Sequence, residues 1–351
     1  MKFIHIADVH LGADPDIGGS RQGKRGREIW DTLKRVLDIC EEKKIELLLI
    51  AGDLFHRQPL KRELKELNSM LGRLSVTETV LIAGNHDYLK KDSYYRSFPW
   101  AENVHMILSS EPSAVRLPRY SLAVYGLSYF SKEITEELYK HAKAKGLMPY
   151  EILLAHGGDE KHIPVKKEDL LSLGYDYIAL GHIHKPRQIC PGRIAYAGAL
   201  EPVDKNDTGM HGYIEGELTA KGCRTVFVPA ASREYIHMEI SVDRRMTGYD
   251  LREKIREKIE EKGVQNIYKI ILTGQRDPDI VFDYELLDPL GNIIELVDNT
   301  TFAYQLDKLA VKNRENILGQ YIESFRGSTE GSIEYQALCE GVHALMETRR
   351  G

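Results

Sequence analysis

The chain has little that would tie it to an oxidising compartment, a membrane or a polyanion. Only four cysteines occur in 351 residues. Cys40, Cys190, Cys223 and Cys339 are scattered without a CxxC pair, so they read as reduced thiols and no disulfide framework is expected. There is no excess of basic charge: 48 Lys and Arg stand against 53 Asp and Glu, a formal net charge of -5. Any nucleic-acid contact must therefore come from a local patch. No segment approaches the roughly 20 consecutive apolar residues of a membrane helix. The start, MKFIHIADVH, runs straight into a β-like stretch without the long apolar region or small-residue cleavage site of a signal peptide. The expectation is a cytoplasmic protein with no membrane partner.

What is present is ordinary globular composition, 42% hydrophobic and 29% charged, in a chain long enough for one large domain plus something smaller. Short apolar runs at 2–7, 45–51, 79–83, 151–155 and 175–180 are nearly continuous in Ile, Leu and Val, as strands buried on both faces are. Between them, Ile29, Leu33, Val36, Leu37 and Cys40 recur at helical steps, as do Leu64, Leu67, Met70 and Leu71. Strands alternating with helices predict an α/β layered core of mixed β-sheets flanked by helices, because the strands after 114 shorten and alternate more (121–126, 193–198, 223–229). The stretch VPAASREY reads as a boundary. The expected domains are a catalytic domain over 1–231, a small α+β accessory domain over 232–300, and a helical C-terminal segment over 301–351. Two helices are expected in that segment, the first carrying Phe302, Leu306, Leu309, Ile317 and Ile322, split by the RGSTEG turn.

Each buried run ends in polar residues: Asp8 and His10, then Asp53, then Asn85 and His86 of IAGNHD, then His156, then His182 and His184. Ligands of open α/β sheets bind outside the carboxyl ends of strands, so five strands could aim these groups at one crevice. Singly, each has a plain explanation. An aspartate after a strand caps a turn, Gly-Asp is an everyday turn, Asn tolerates left-handed backbone, and GHIH puts two imidazoles on one side of an extended segment. The ordered set, each member behind its own strand, is what outweighs those explanations. Two carboxylates, one amide and four imidazoles besides His86 form an oxygen and nitrogen donor set without thiolate, suited to Mn²⁺, Fe²⁺ or Zn²⁺. Seven such donors crowd one ion. They suit two ions about 3.5–4 Å apart with a bridging carboxylate, the arrangement that clamps attacking and leaving oxygens in phosphoester hydrolysis by a metal-bound hydroxide.

The order Asp8-x-His10, Gly52-Asp53, Gly84-Asn85-His86-Asp87, His156 and Gly181-His182-x-His184 resembles the five-motif signature of the calcineurin-like metallophosphoesterases. HIADVHLG, GDLFH and GNHD are most similar to the SbcD branch, nuclease subunits of DNA double-strand-break processing; the short length also fits a smaller, YhaO-like paralogue. The motif resemblance covers about residues 1–230. It implies that Asp8, His10, Asp53 and His184 hold one metal and Asp53, Asn85, His156 and His182 the other, with Asp53 bridging and Mn²⁺ the first choice of ion. It implies that His86 is the catalytic histidine near the scissile phosphate, and that His56 is a second functional position of the nuclease branch. The related phosphatases carry an aspartate of GDxxDRG where His56 stands, so this departure favours the nuclease reading. His5, His105, His141, His162, His211, His237 and His343 are given no role.

For DNA contact the candidates are Arg21, Lys24, Arg25 and Arg27 of GGSRQGKRGRE, read as a flexible basic loop at the mouth of the site, with a merely solvated loop as the alternative. Composition does not separate DNA from a nucleotide. The resemblance does, implying exonuclease and endonuclease action on DNA ends, an accessory capping role for 232–300, docking of the terminal helices on an SbcC-like coiled-coil ATPase, and the homodimer common in such proteins. Two alternatives stay open: a phosphodiesterase of small nucleotides or other small diesters, and a mainly structural subunit of the ATPase complex.

Overall fold

Strands with wholly or almost wholly buried side chains set the frame of the first part of the chain. The computed structural model describes residues 1–15, 23–288, 290–329 and 331–348. It divides into two units, Met1–Glu234 and Tyr235–Gly351. In the first, β1 (Lys2–Ile6), α1 (Arg25–Glu42), β2 (Leu47–Ala51), α2 (Lys61–Leu71) and β3 (Glu78–Ile82) alternate, followed by β4 (Val104–Met106). The chain then crosses to a second sheet through β5 (Ser113–Leu117), β6 (Leu122–Gly126), β7 (Tyr150–His156), α3 (Lys167–Ser172), β8 (Tyr177–Gly181), β9 (Arg187–Cys190) and β10 (Ile194–Tyr196). It returns through β11 (Gly212–Thr219) and β12 (Gly222–Pro229).

The strand orders are β12-β11-β1-β2-β3-β4 and β5-β6-β7-β8-β10-β9. The central neighbours β1, β2 and β3 run parallel, as do β7 and β8, while β11 is antiparallel to β1. The layered α/β core of mixed sheets expected from the sequence is thus present. Its central strands read as continuous hydrophobic runs because both faces are covered. Phe3, Leu47, Leu49, Val80, Ile152, Leu154 and Tyr177 fill the space between the sheets. The alternate residues Ile4, Ile6, Leu48 and Ile50 pack on Ile29, Leu33 and Val36 of α1 and Leu64, Leu67 and Leu71 of α2. Each such Leu or Ile contributes about 1.5–3 kcal/mol on burial; Leu33→Ala would cost about 2–5 kcal/mol.

In the second unit, β13 (Tyr235–Val242), β14 (Ile267–Arg276) and β15 (Ile293–Asp298) pair in parallel, and α4 (Gly248–Lys262) covers them through Leu251, Ile255 and Ile259. Thr247 and Asp250 close a reciprocal cap at the start of α4. The terminal segment departs from the two-helix expectation. Thr301–Phe302 forms β16 beside β14, and the first helix breaks into α5 (Leu306–Lys312) and α6 (Ile317–Ser324) before α7 (Ile333–Glu347). The physical reason is Asn316, whose side chain accepts from the Leu318 and Gly319 N–H groups and starts a new helix. Among the described residues no helix is long and apolar enough to cross a membrane.

Candidate metal centre

All seven signature positions and both catalytic candidates lie at one rim of the first unit, where β1, β2 and β3 of one sheet and β7 and β8 of the other end. Backbone bonds lace the exits together: Asp8 N–H donates to Gly52 O (3.2 Å), His10 N–H to Asp53 O (3.0 Å), and Gly157 N–H to Gly181 O (3.2 Å). The functional residues do not continue the strands. Asp8, His10, Asp53 and His182 have φ of 48°, 53°, 47° and 96°, the left-handed region that side chains other than glycine enter at a cost and that gathers at functional sites. The glycines beside them are needed for close approach. A Cβ at Gly84 would lie 2.2 Å from Asp53 Oδ1, and one at Gly181 2.0 Å from Ala51 O.

The signature residues form two groups of donors, Asp8 with His10 and His184, and Asp53 with His156 and His182; His10 also groups with His56 and His86, and His182 with Asp159 and His162. His10 Nε2 and His184 Nε2 are 3.1 Å apart. Asn85 Oδ1 stands 2.9 Å from His156 Nε2 and 3.1 Å from His182 Nδ1. The GHIH imidazoles therefore serve different groups. The same-side reading fails because the left-handed turn at His182 replaces an extended segment. Asp53 Oδ2 is 3.4 Å from His156 Nε2, and its Oδ1 accepts the His86 N–H at 2.8 Å. Asp8 accepts the His182 N–H at 2.9 Å.

The ring hydrogens test whether cations fit. His156 Nδ1 donates to Ala51 O (2.8 Å) and His184 Nδ1 to Asp207 Oδ2 (2.9 Å). Those acceptors carry no hydrogen, so in the neutral ring, the form that binds metal, each Nε2 presents its lone pair. At His156 that lone pair faces an amide oxygen and a carboxylate, and at His184 it faces another imidazole nitrogen. Buried lone pairs converging in this way need positive charge between them. Two ligands at about 2.1 Å from one ion stand roughly 3.0–3.4 Å apart; the His10–His184, Asn85–His182 and Asp53–His156 separations fall in that range, and Asn85–His156 at 2.9 Å lies just below it. The donor set and its outer hydrogen bonds therefore fit borderline divalent ions.

The titration behaviour of the bare cluster points the same way. Burial, which outweighs the attraction of His156 and His184, pushes the Asp8 carboxyl up to about 6. At Asp53 burial acts upward too, but the His156 charge and hydrogen bond, with His10 and His86, hold it well below the usual carboxylate range. Burial disfavours charge on His156, yet Asp53 and Asp8 lift it to about 9; burial, opposed by Asp53 and reinforced by His184, His86 and His56, keeps His10 well below the usual imidazole value. Protons are shared because positive charge is wanted, and divalent cations relieve the same imbalance.

His86 is half-buried and donates from Nδ1 to His56 O (3.1 Å); its ring stacks on that of His56, with centroids 4.9 Å apart. His56 is exposed, and its Nδ1 lies 3.4 Å from His10 Nδ1. Asp87, buried, accepts from Gly84 N (2.8 Å), Phe55 N (3.1 Å) and the Tyr95 hydroxyl (2.8 Å), which fixes the GNHD turn.

The basic candidates separate. Arg21 lies outside the described residues. Lys24 and Arg27 are exposed. Arg25 is a correction: it begins α1 rather than a loop, is fully buried, and bonds Glu28 (2.6 Å), Glu201 (3.5 Å) and Pro202 O (2.8 Å). A guanidinium buried to this degree is out of reach of a backbone phosphate, so Arg25 is withdrawn as a DNA contact. The sequence reading also missed Asp207 and the Asp159–His162 pair, which bond His184 and His182 of the two donor groups. Asp159 offered a weak signal, an acid three residues after His156 across two glycines; Asp207 sits in a polar loop and offered none.

The sequence profile of the calcineurin-like phosphoesterases matches residues 1–186. YhaO of Bacillus subtilis strain 168, an uncharacterised metallophosphoesterase, is 27% identical over 298 residues, 78% of this chain and 72% of its own length. Mre11 of Sulfurisphaera tokodaii, a DNA double-strand break repair protein, is 28% identical over 313 residues, 81% of this chain and 76% of its own. A solved dimetal phosphatase from Danio rerio superposes with a TM-score of 0.42 at 14% identity, covering 66% of this chain and 99% of that one.

Proposed function

The chain belongs to the calcineurin-like phosphoesterase family, and from that premise we propose that it is a dinuclear-metal phosphodiesterase that cuts DNA at or near ends. The observation that carries the reading is the pair of donor groups, Asp8 with His10 and His184, and Asp53 with His156 and His182, the second joined by Asn85 Oδ1. Asp8, His10, Asp53 and His184 would hold one ion, and Asp53, Asn85, His156 and His182 the other. Asp53 suits the shared position because its charge acts on His10 and His184 of the first set as well as on His156 of the second. When bound, two divalent ions, Mn²⁺ first, supply charge against the phosphodiester oxygens and acidify water.

The protein's own residues then divide the work. His86, with Nδ1–H committed to His56 O, turns Nε2 toward the leaving oxygen and, when that nitrogen is protonated as well, donates a hydrogen bond or proton from it. His56 backs it by stacking and by its contact with His10. Lys24 and Arg27, at the start of α1, stand as the backbone-phosphate contacts. DNA rather than a small diester is supported by the SbcD-like motif set with His56 in place of the phosphatase aspartate, and by the similarity to a relative named for DNA repair. On the same footing, 232–300 is assigned an accessory role in holding substrate and 301–351 the docking of a coiled-coil ATPase, in an assembly built on a homodimer.

Mn²⁺-dependent hydrolysis of duplex ends, single strands, cyclic nucleotides and bis(p-nitrophenyl) phosphate, measured side by side, tests the reading. Cleavage of DNA is expected. Turnover of the small diesters alone removes the nuclease assignment, and inactivity on every substrate with ions bound leaves a structural subunit.

A further inference from the structure

Two acids outside the signature touch the two histidines of GHIH, and they do so from opposite sides of the ring. His184 Nδ1 donates to Asp207 Oδ2 at 2.9 Å, leaving Nε2 toward His10. His182 is reversed, with Nε2 donating to Asp159 Oδ2 at 2.8 Å and Nδ1 left toward Asn85. A neutral imidazole carries one hydrogen, and an ionised carboxylate accepts only, so each acid dictates which nitrogen is free. Both acids are themselves anchored. Asp207 Oδ2 also accepts from the Val203 and Asp204 N–H groups, each at 3.2 Å. Asp159 Oδ1 accepts from Lys161 N (2.8 Å) and His162 Nδ1 (2.8 Å).

We propose that Asp207 and Asp159 are positioning residues that fix opposite ring tautomers in His184 and His182, so that each acid governs retention of one ion of the pair. The inference rests on the dinuclear reading above but not on any choice of substrate. The two are unequal. The Asp207 side chain is 16% exposed and that of Asp159 48%; water competes for the Asp159 contact, so Asp207 has the larger effect. Replacing either carboxylate by the isosteric amide keeps an acceptor and the shape but removes the charge that polarises the ring. Loss of such an outer partner lowers metal affinity by about 10–100-fold. Asp207→Asn falls toward the upper end at the ion held by His184, and Asp159→Asn toward the lower end at the ion held by His182.

The test uses the full chain with ¹⁵N-labelled histidine, loaded with Zn²⁺ alone. Long-range ¹H–¹⁵N spectra of the unaltered protein should show His184 protonated at Nδ1 and His182 at Nε2, a measurement that needs no variant to fold. Chelator competition should then show Asp207→Asn weakening one ion while His156 and His182 keep metal-shifted signals, and Asp159→Asn the converse. Both histidines protonated at the same nitrogen, either variant weakening both ions equally, or both variants retaining ions like the unaltered chain would overturn the inference. Failure to cleave DNA with this pattern intact removes only the substrate reading; a chain that takes up no Zn²⁺ removes both.

Discussion

Gly84→Ala adds a single methyl group at the rim, and the geometry sets its effect. The new Cβ would lie 2.2 Å from Asp53 Oδ1, 2.5 Å from Asp53 N and 2.8 Å from Asp53 Cγ. The carboxylate must retreat by about 1.2 Å, the gap between 2.2 Å and the 3.4 Å at which ordinary contact begins. Metal–ligand distances tolerate only about 0.2 Å, so a shift of this size takes Asp53 out of coordination and also breaks its bond from the His86 N–H. Overpacking of this kind costs about 1–3 kcal/mol, less than the roughly 5–15 kcal/mol that holds a domain folded. The expected result is a folded chain that loses at least one ion and its diesterase turnover. Gly248→Ala, where the added methyl meets nothing within 4 Å, is the matched control and should change stability by no more than about 1 kcal/mol. Elemental analysis after gel filtration, a thermal melt and bis(p-nitrophenyl) phosphate hydrolysis read the outcome. A Gly84→Ala protein with its full metal complement and unaltered turnover would refute the reasoning.

His86→Ala should abolish turnover while metal content stays near two ions per chain; metal loss in that variant, measured by elemental analysis, would show His86 to be a ligand. Arg25→Gln leaves Glu201 buried without its cation and should cost about 3–5 kcal/mol in denaturant unfolding, with DNA affinity of the folded protein unchanged. Burial lowers His5 to about 3, so the folded state keeps it neutral while the unfolded state takes a proton near pH 6.5. Its contribution is therefore present above pH 6.5 and lost as pH falls toward 3, a full range of about 5 kcal/mol. His5→Phe should flatten that slope in pH-dependent melts, and an unaltered slope would contradict the assignment. Chelation of the ions should lower the melting temperature and Mn²⁺ restore it, by about 2.7 kcal/mol at a hundredfold excess over Kd.

The core and the site were legible to different depths. Strands β1, β2, β3, β7 and β8 could be read because burial on both faces enforces an unbroken apolar run, and each run announces its polar end. The gathering of Asp8, His10, Asp53, Asn85, His156, His182 and His184 followed from that alone. Which ring nitrogen faces inward was hidden, because it depends on left-handed turns at Asp8, His10, Asp53 and His182 and on Asp159 and Asp207, whose positions are set by loops. Arg25 misled because a basic residue in a glycine-rich stretch looks solvated; Glu201 and Pro202, 176 and 177 residues away, join Glu28 in taking up its buried charge. The break between α5 and α6 turns on one capping asparagine, a local choice that the surrounding apolar spacing masks.

The central claim is that a pair of close cations sits between the two donor groups. Elemental analysis combined with electron paramagnetic resonance of the Mn²⁺-loaded chain tests it most directly. Two ions per chain with the exchange-coupled spectrum of metals about 3.5–4 Å apart is the predicted result; one ion per chain, or two with the spectrum of isolated Mn²⁺, would contradict it.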